Sequence, residues 1–193
     1  MTVQASTPSA LEAFIDCLDR LVRTSDESEE DFWPRLGQAM QQLVATDDWL
    51  PQSMTRPHPQ YYQQYCLYAD PEDRFSVVSF VWGPGQATPI HNHTVWGVIG
   101  VIQGAEIDQR YEITLDGVPT PVGQEERLNC GDIGFVSPTI GDVHRVSNAF
   151  ADRVSISIHA YGGNIGKINR HVFPEQGGQA KAFVSGYSDP SAQ

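Results

Sequence analysis

Basic residues are scarce in this chain: twelve Lys and Arg stand against twenty-four Asp and Glu, a net charge of -12. Such a surface repels phosphate backbones, which argues against nucleic acid and anionic membranes as partners. Cysteine is scarcer still. Cys17, Cys66 and Cys130 are odd in number and far apart, with no C-x-x-C pair. That excludes a disulfide frame and a cysteine-based zinc site, and reads as buried, reduced thiols of a cytoplasmic protein. Long apolar runs are missing as well, so no membrane span is expected. Residues 1–19 have no basic n-region and hold Glu12, Asp16 and Asp19, so no export signal is expected either. There is no internal repeat and no low-complexity stretch.

What remains is a chain of 193 residues, 40% hydrophobic, sized for one packed domain over 1–193. Its pattern divides into a helical segment at 1–50, a connector at 46–60, a strand-rich core at 61–175 and a C-terminal tail at 176–193. Leu11, Phe14, Ile15, Leu18, Leu21 and Val22 recur at helical spacing behind Ser9, with Glu12 placed for a capping box. Phe32, Trp33, Leu36, Met40, Leu43 and Val44 form a second stripe, with Pro34 in its first turn. Strands are predicted at 61–69, 74–82, 95–102, 106–114, 124–129, 133–136, 143–148 and 153–161, punctuated by Gly, Pro and Asp116-Gly117. Many short strands at this spacing predict a sandwich or barrel with a cavity mouth, its open face covered by the helices.

Two blocks carry the chemistry: Gly85-x5-His91-x-His93-x3-Gly97-x6-Gly104, and Gly131-x6-Pro138-x2-Gly141-x2-His144-x3-Asn148. Side chains two apart on a strand share a face, so His91 and His93 can grip one ion, and His144 can return on a partner strand to complete three imidazoles. These blocks resemble the paired metal-binding motifs of the cupin superfamily, which implies an all-β cupin barrel (double-stranded β-helix or jelly-roll) with the N-terminal helices packed on it. Cupins usually carry a glutamate ligand where this chain has Gly97. Three neutral imidazoles leave the charge of the ion uncompensated, and a site of that kind suits an anionic, chelating substrate with room for dioxygen.

The strand after His144 alternates Val154, Ile156, Ile158 and Ala160 with Ser155, Ser157, His159 and Tyr161. Its polar row is either the wet outside or a hydrogen-bond relay ending at the Tyr161 hydroxyl. The run His91-Asn92-His93-Thr94-Val95-Trp96-Gly97-Val98-Ile99-Gly100, with Ser157-Ile158-His159-Ala160-Tyr161 and Asn169-Arg170-His171-Val172-Phe173, resembles the thiol dioxygenases of the cysteine dioxygenase family, over roughly 61–173. The resemblance implies one iron(II) per chain on His91, His93 and His144, and a Ser157–His159–Tyr161 relay beside it. It also implies a reaction adding both atoms of dioxygen to a thiol, giving a sulfinate.

Three departures stand out. Eukaryotic members have a cysteine, crosslinked to the tyrosine, where this chain has Gly97, and Ser-Pro where it has Gly162-Gly163. They also have a carboxylate-gripping arginine where it has Gln64, with Gln63 a competitor for that place. The Gln-bearing bacterial branch is similar to 3-mercaptopropionate dioxygenases, in which an arginine matching Arg170 holds the carboxylate; without the resemblance Arg170 also reads as a surface ion pair. The expected partners are therefore a small thiol and dioxygen, with 3-mercaptopropionate favoured. The alternatives are a cysteine dioxygenase making cysteine sulfinate and, more distantly, another metal-dependent or ligand-binding cupin. The sequence names neither the oligomeric state nor the physiological thiol.

Overall fold

The computed structural model describes residues 9–23 and 29–191. The parts of the helical and tail readings that fall on 1–8, 24–28 and 192–193 lie outside them. Helix α1 (Ala10–Arg23) starts on the expected capping box: Ser9 Oγ accepts the Glu12 N–H at 3.2 Å, and Glu12 accepts the Ser9 N–H at 2.8 Å. Helix α2 is Glu29–Leu43, so Pro34 sits in its interior, not in its first turn, and one helical hydrogen bond is lost there. No helix among the described residues is long and apolar enough to cross a membrane.

Strands β1 (Gln63–Ala69), β2 (Ser76–Trp82), β3 (Ile90–His91), β4 (Gly97–Gln103), β5 (Ala105–Ile113), β6 (Pro119–Asn129), β7 (Ile133–Val136), β8 (His144–Asn148), β9 (Ser155–Tyr161), β10 (Arg170–Phe173) and β11 (Lys181–Phe183) form two sheets. Their orders are β1-β2-β9-β4-β7 and β11-β10-β3-β8-β5-β6, antiparallel throughout. This is the cupin, or double-stranded β-helix, architecture. β6 begins well before the predicted 124 because Pro119 and Pro121 are admissible on an edge strand, where the missing N–H breaks no ladder. β3, β10 and β11 were not predicted: the two or three residues of β3 and β11 are too few to show a period, and β10 opens on the polar pair Arg170-His171.

In the five-stranded sheet both faces are buried, and the two-residue period sorts them. Val77, Val81, Val98, Ile102, Ile156, Ile158 and Ala160 meet Phe14, Leu18, Leu36 and Met40 of the helices in one core. Each such side chain contributes on the order of 2 kcal/mol. Gly100 permits the approach, since a Cβ there would stand 2.7 Å from Met40. The opposite face carries Val78, Phe80, Trp82 and Tyr161, which join Val146 of the second sheet, so the interior lies between the sheets.

Two expectations need correction. The cysteines are free, but Cys130 is exposed in the turn after β6 and the other two are only half-buried. The described part of the tail, 176–191, is tied to the sheets: β11 pairs with β10, and Ser188 exchanges hydrogen bonds with Gln64 of β1 through its N–H and Oγ, at 2.8 and 2.9 Å. The polar composition of that stretch reflects interactions made through backbone and hydroxyl groups instead of apolar burial.

Candidate metal centre and substrate cavity

His91 ends β3 and His144 begins β8, and the two are direct partners in register. His93 follows in a turn that reverses through Thr94, whose φ is +62°, a conformation that L-residues other than Asn and Asp seldom adopt. Asp142 holds that turn by accepting the His93 and Thr94 N–H groups, each at 2.9 Å. The three rings face one another with centroids 4.8–5.0 Å apart, and their ligand nitrogens all lie within 4.8 Å of one another.

The ring orientations follow from what each Nδ1 meets. That of His91 lies 3.0 Å from the Pro89 carbonyl, and that of His93 lies 3.2 Å from the Asp142 carboxylate. That of His144 lies 3.1 Å from both Asp108 oxygens. All these partners are acceptors, so the rings carry their protons on Nδ1 and keep Nε2 free as a donor to a cation. Burial lowers the His91 pKa well below its usual value, and the neighbouring imidazoles add to it. Burial likewise brings His93 down to about 4, against the opposing pull of Asp142. Burial pushes the Asp108 carboxyl up, but its contact with the His144 ring outweighs this and holds it below the usual carboxylate range. A buried three-imidazole donor set of this kind fits a divalent transition metal.

The polar row of β9 faces inward and is buried throughout, which removes the wet-outside reading. Ser157 Oγ lies 2.8 Å from His159 Nε2, and His159 Nδ1 lies 2.8 Å from the Tyr161 hydroxyl. The Tyr161 ring stacks on His93 at 5.4 Å between centroids, which brings the row against the histidine cluster. Burial pushes the Tyr161 pKa up, so its hydroxyl keeps its proton. It lowers the His159 pKa well below its usual value, so that ring is neutral.

Beside His91 lies a cavity of about 250 Å³ whose wall includes Tyr62, Gln64, Phe80, Arg170 and Phe183. It adjoins a wider cleft of about 530 Å³ that shares Tyr62, Gln64 and Phe183. Among the described residues no Asp or Glu lines the smaller cavity. Of the two competing glutamines, Gln64 lines it and Gln63 does not. Arg170 is 3% exposed and lies over the Phe183 ring at 4.7 Å. Its Nη2 donates to Ser185 at 2.7 Å, its Nε has no partner, and no acid pairs with it among the described residues. The surface ion pair is thus not what the structure places there. Ser185 Oγ also accepts from Gln64 Nε2 at 3.1 Å, so one hydroxyl from the C-terminal segment holds both residues.

Several residues around the site went unread in the sequence. Asp142 stands two before His144, and an acid that close to a ligand histidine is a usable signal. Asp108, Glu106 and Ser185 gave none, because acids alternating with apolar residues on a strand ordinarily face water.

Two antiparallel sheets enclosing a buried three-histidine cluster define a cupin with a candidate metal centre. Residues 60–172, more than half of the chain, match the family model of cysteine dioxygenase type I, and the chain belongs to that family of cupin thiol dioxygenases. Among solved structures it is similar to an uncharacterized conserved protein with a double-stranded β-helix domain from Klebsiella pneumoniae (21% identity, 63% of this chain and 91% of that one, TM-score 0.48). It is also similar to TT1209 from Thermus thermophilus (20%, 57% and 90%, 0.44) and to a cupin superfamily protein from Desulfitobacterium hafniense (13%, 60% and 90%, 0.45). Membership follows from the family match alone.

Proposed function

We propose that this protein is a non-haem iron(II) thiol dioxygenase that acts on a small thiol carboxylate, with 3-mercaptopropionate preferred. The reaction consumes one thiol and one dioxygen and leaves both oxygen atoms on sulfur as a sulfinic acid, so no external reductant is needed. The observation that carries the substrate class is Arg170: a buried guanidinium on the cavity wall beside His91, with no acidic partner among the described residues. A buried unpaired cation is costly, and a substrate carboxylate is the group that would neutralise it.

The roles follow from placement. His91, His93 and His144 would hold the iron, which supplies the redox chemistry that brings sulfur and dioxygen together. Arg170 takes the carboxylate through its forked guanidinium, and Gln64 lines the same wall as a neutral group. Ser157 and His159 orient the Tyr161 hydroxyl as a hydrogen-bonding group toward the substrate. Phe80 and Phe183 contribute apolar wall, limiting the water that competes for these contacts. The preference against cysteine rests on a cavity wall with no carboxylate among the described residues, against which the ammonium of cysteine would be buried without an anionic partner. That cost is several kcal/mol, on the order of a hundredfold in specificity. The second reading, a cysteine dioxygenase proper, is favoured by the family model itself.

Metal content and oxygen uptake with a panel of thiols test the proposal. The expected result is about one iron per chain and the highest kcat/KM on 3-mercaptopropionate. His144→Ala is expected to lose metal or activity by at least the ~10–100-fold that changes beyond the ligands can cost. Full iron and full uptake in that variant would remove the assignment of the metal centre. Higher efficiency on L-cysteine would replace the first reading with the second.

A further inference from the structure

Strand β5 carries two acids on its inward face, Glu106 and Asp108. Asp108 has His144. Glu106 is 0% exposed, and neither of its carboxylate oxygens has a hydrogen-bond partner among the described residues. A carboxylate cannot stay ionised in such surroundings without a partner. Burial pushes the Glu106 pKa up to about 8; the Ser157 hydroxyl and the Trp82 indole N–H beside it partly offset this, and Asp108 adds to it.

The groups around Glu106 are few. Ser157 of β9 and Trp82 of β2 lie near it without a hydrogen bond formed, His159 and Tyr161 follow beyond Ser157, and Asp108 stands on its own strand. Asn148, its register partner on β8, has its amide committed to the carbonyls of Trp82, Gly83 and Arg153. Ser157 Oγ already accepts the Trp82 N–H at 3.2 Å. Its single proton can go to His159 or to Glu106, but not to both.

We propose that Glu106 is the far terminus of the Ser157–His159–Tyr161 row and that its protonation sets the direction of every hydrogen bond in it, so that Tyr161 has its proton free beside the histidine cluster only while Glu106 keeps its own. With Glu106 protonated, its O–H is directed at Ser157, Ser157 donates to His159 Nε2, and His159 donates from Nδ1 to the Tyr161 oxygen. The Tyr161 proton is then free for the substrate. With Glu106 ionised, Ser157 donates to the carboxylate, His159 carries its proton on Nε2, and Tyr161 donates back to Nδ1. His159 transmits the choice because it stays neutral and holds one ring proton. Glu106 is a positioning residue in this scheme, and its effect on turnover rests on the reading of Tyr161 as the group that faces the bound thiol.

Heteronuclear NMR of the histidine ring nitrogens, on full-length protein loaded with diamagnetic zinc(II), tests this without turnover. In wild type the His159 proton should move from Nδ1 to Nε2 as pH rises through about 8. Glu106→Gln should hold it on Nδ1 across the range, since the amide N–H donates to Ser157 and does not titrate. Ser157→Ala should leave the His159 tautomer insensitive to Glu106, and serves if the Gln variant does not fold. In oxygen uptake, wild-type kcat should fall about tenfold between pH 7 and pH 9 and stay level in Glu106→Gln. A wild-type His159 tautomer that does not change with pH, or one that changes equally in Glu106→Gln or Ser157→Ala, overturns the proposal. A tautomer that switches as expected in a protein that oxidises no thiol upholds the row and sinks the dioxygenase reading instead.

Discussion

The ring of Tyr161 lies directly on the bare Cα of Gly97: a Cβ at position 97 would stand 2.8 Å from Cδ1 and 2.9 Å from Cε1 of the tyrosine, and 2.9 Å from Val136 Cγ2. The two residues are register partners on β4 and β9, so the closeness is built into the sheet. Gly97→Ala must therefore displace the ring that His159 and His93 position. We expect oxygen uptake to fall at least about tenfold with only a modest loss of stability, on the order of 1–3 kcal/mol for overpacking. Unchanged kcat/KM in a folded Ala variant would show that the tyrosine's position is immaterial. In the wild type, peptide mass mapping should find Tyr161 without a thioether, because Gly97 has no sulfur to give.

The histidines were legible because their chemistry is written in residue type and spacing: two of them two residues apart, glycines at fixed offsets, a third behind a turn; the shared strand face expected of the first two does not form, since β3 ends at His91. The β9 row was legible only as an alternation, and the sequence left open which face was wet. The answer depended on β9 lying between β2 and β4 under helical cover, a property of topology that no local pattern contains. The same limit hid Glu106 and Asp108. On a strand with one wet face their spacing would be unremarkable, and only closure of the second sheet over the first turns them inward. β10 and β11 escaped because their pairing, β10 with β3 and β11 with β10, is long-range, yet β10 brings Arg170 to the cavity and the segment after β11 sets Ser185 against it.

Asp108 meets His144 Nδ1 with both oxygens and stands behind that ring, outside the three-histidine cluster. Asp108→Ala leaves the ring without its acceptor and free to take the other tautomer. Metal affinity should fall about 10–100-fold, the range for partners that orient ligating histidines. Competition with a chelator, followed by metal analysis, reads this directly, and an unchanged affinity would mean the ring is held by packing alone.

Arg170→Ala should cost about a hundredfold in kcat/KM on 3-mercaptopropionate, the scale of a lost charge-assisted pair. A simple alkanethiol lacking the carboxylate should change by no more than about threefold, since the arginine has nothing to hold in it. Ser185→Ala, which frees both Arg170 and Gln64 from their shared acceptor, should raise KM more than it lowers kcat. Equal losses on both thiols in Arg170→Ala would assign the residue a structural role.

The burial of Glu106 also makes a prediction about stability that does not depend on catalysis. Its folded pKa of about 8 lies above the ordinary 4.5, so its contribution is fully present below about pH 4.5 and is lost as pH rises through 8. His159 acts in the opposite sense: depressed in the fold from 6.5, it contributes fully above that pH and loses its contribution as the solution becomes more acid. Between about pH 6.5 and pH 8 the histidine contribution is constant and Glu106 alone of the two changes. Over that interval the unfolding free energy of wild type should fall by about 2 kcal/mol, from 1.36 kcal/mol per pH unit for one proton. Glu106→Gln, with no proton to lose, should show no such fall. Denaturant titrations of both metal-free proteins at several pH values give the difference, and parallel curves would mean that Glu106 is ionised and partnered in the folded protein.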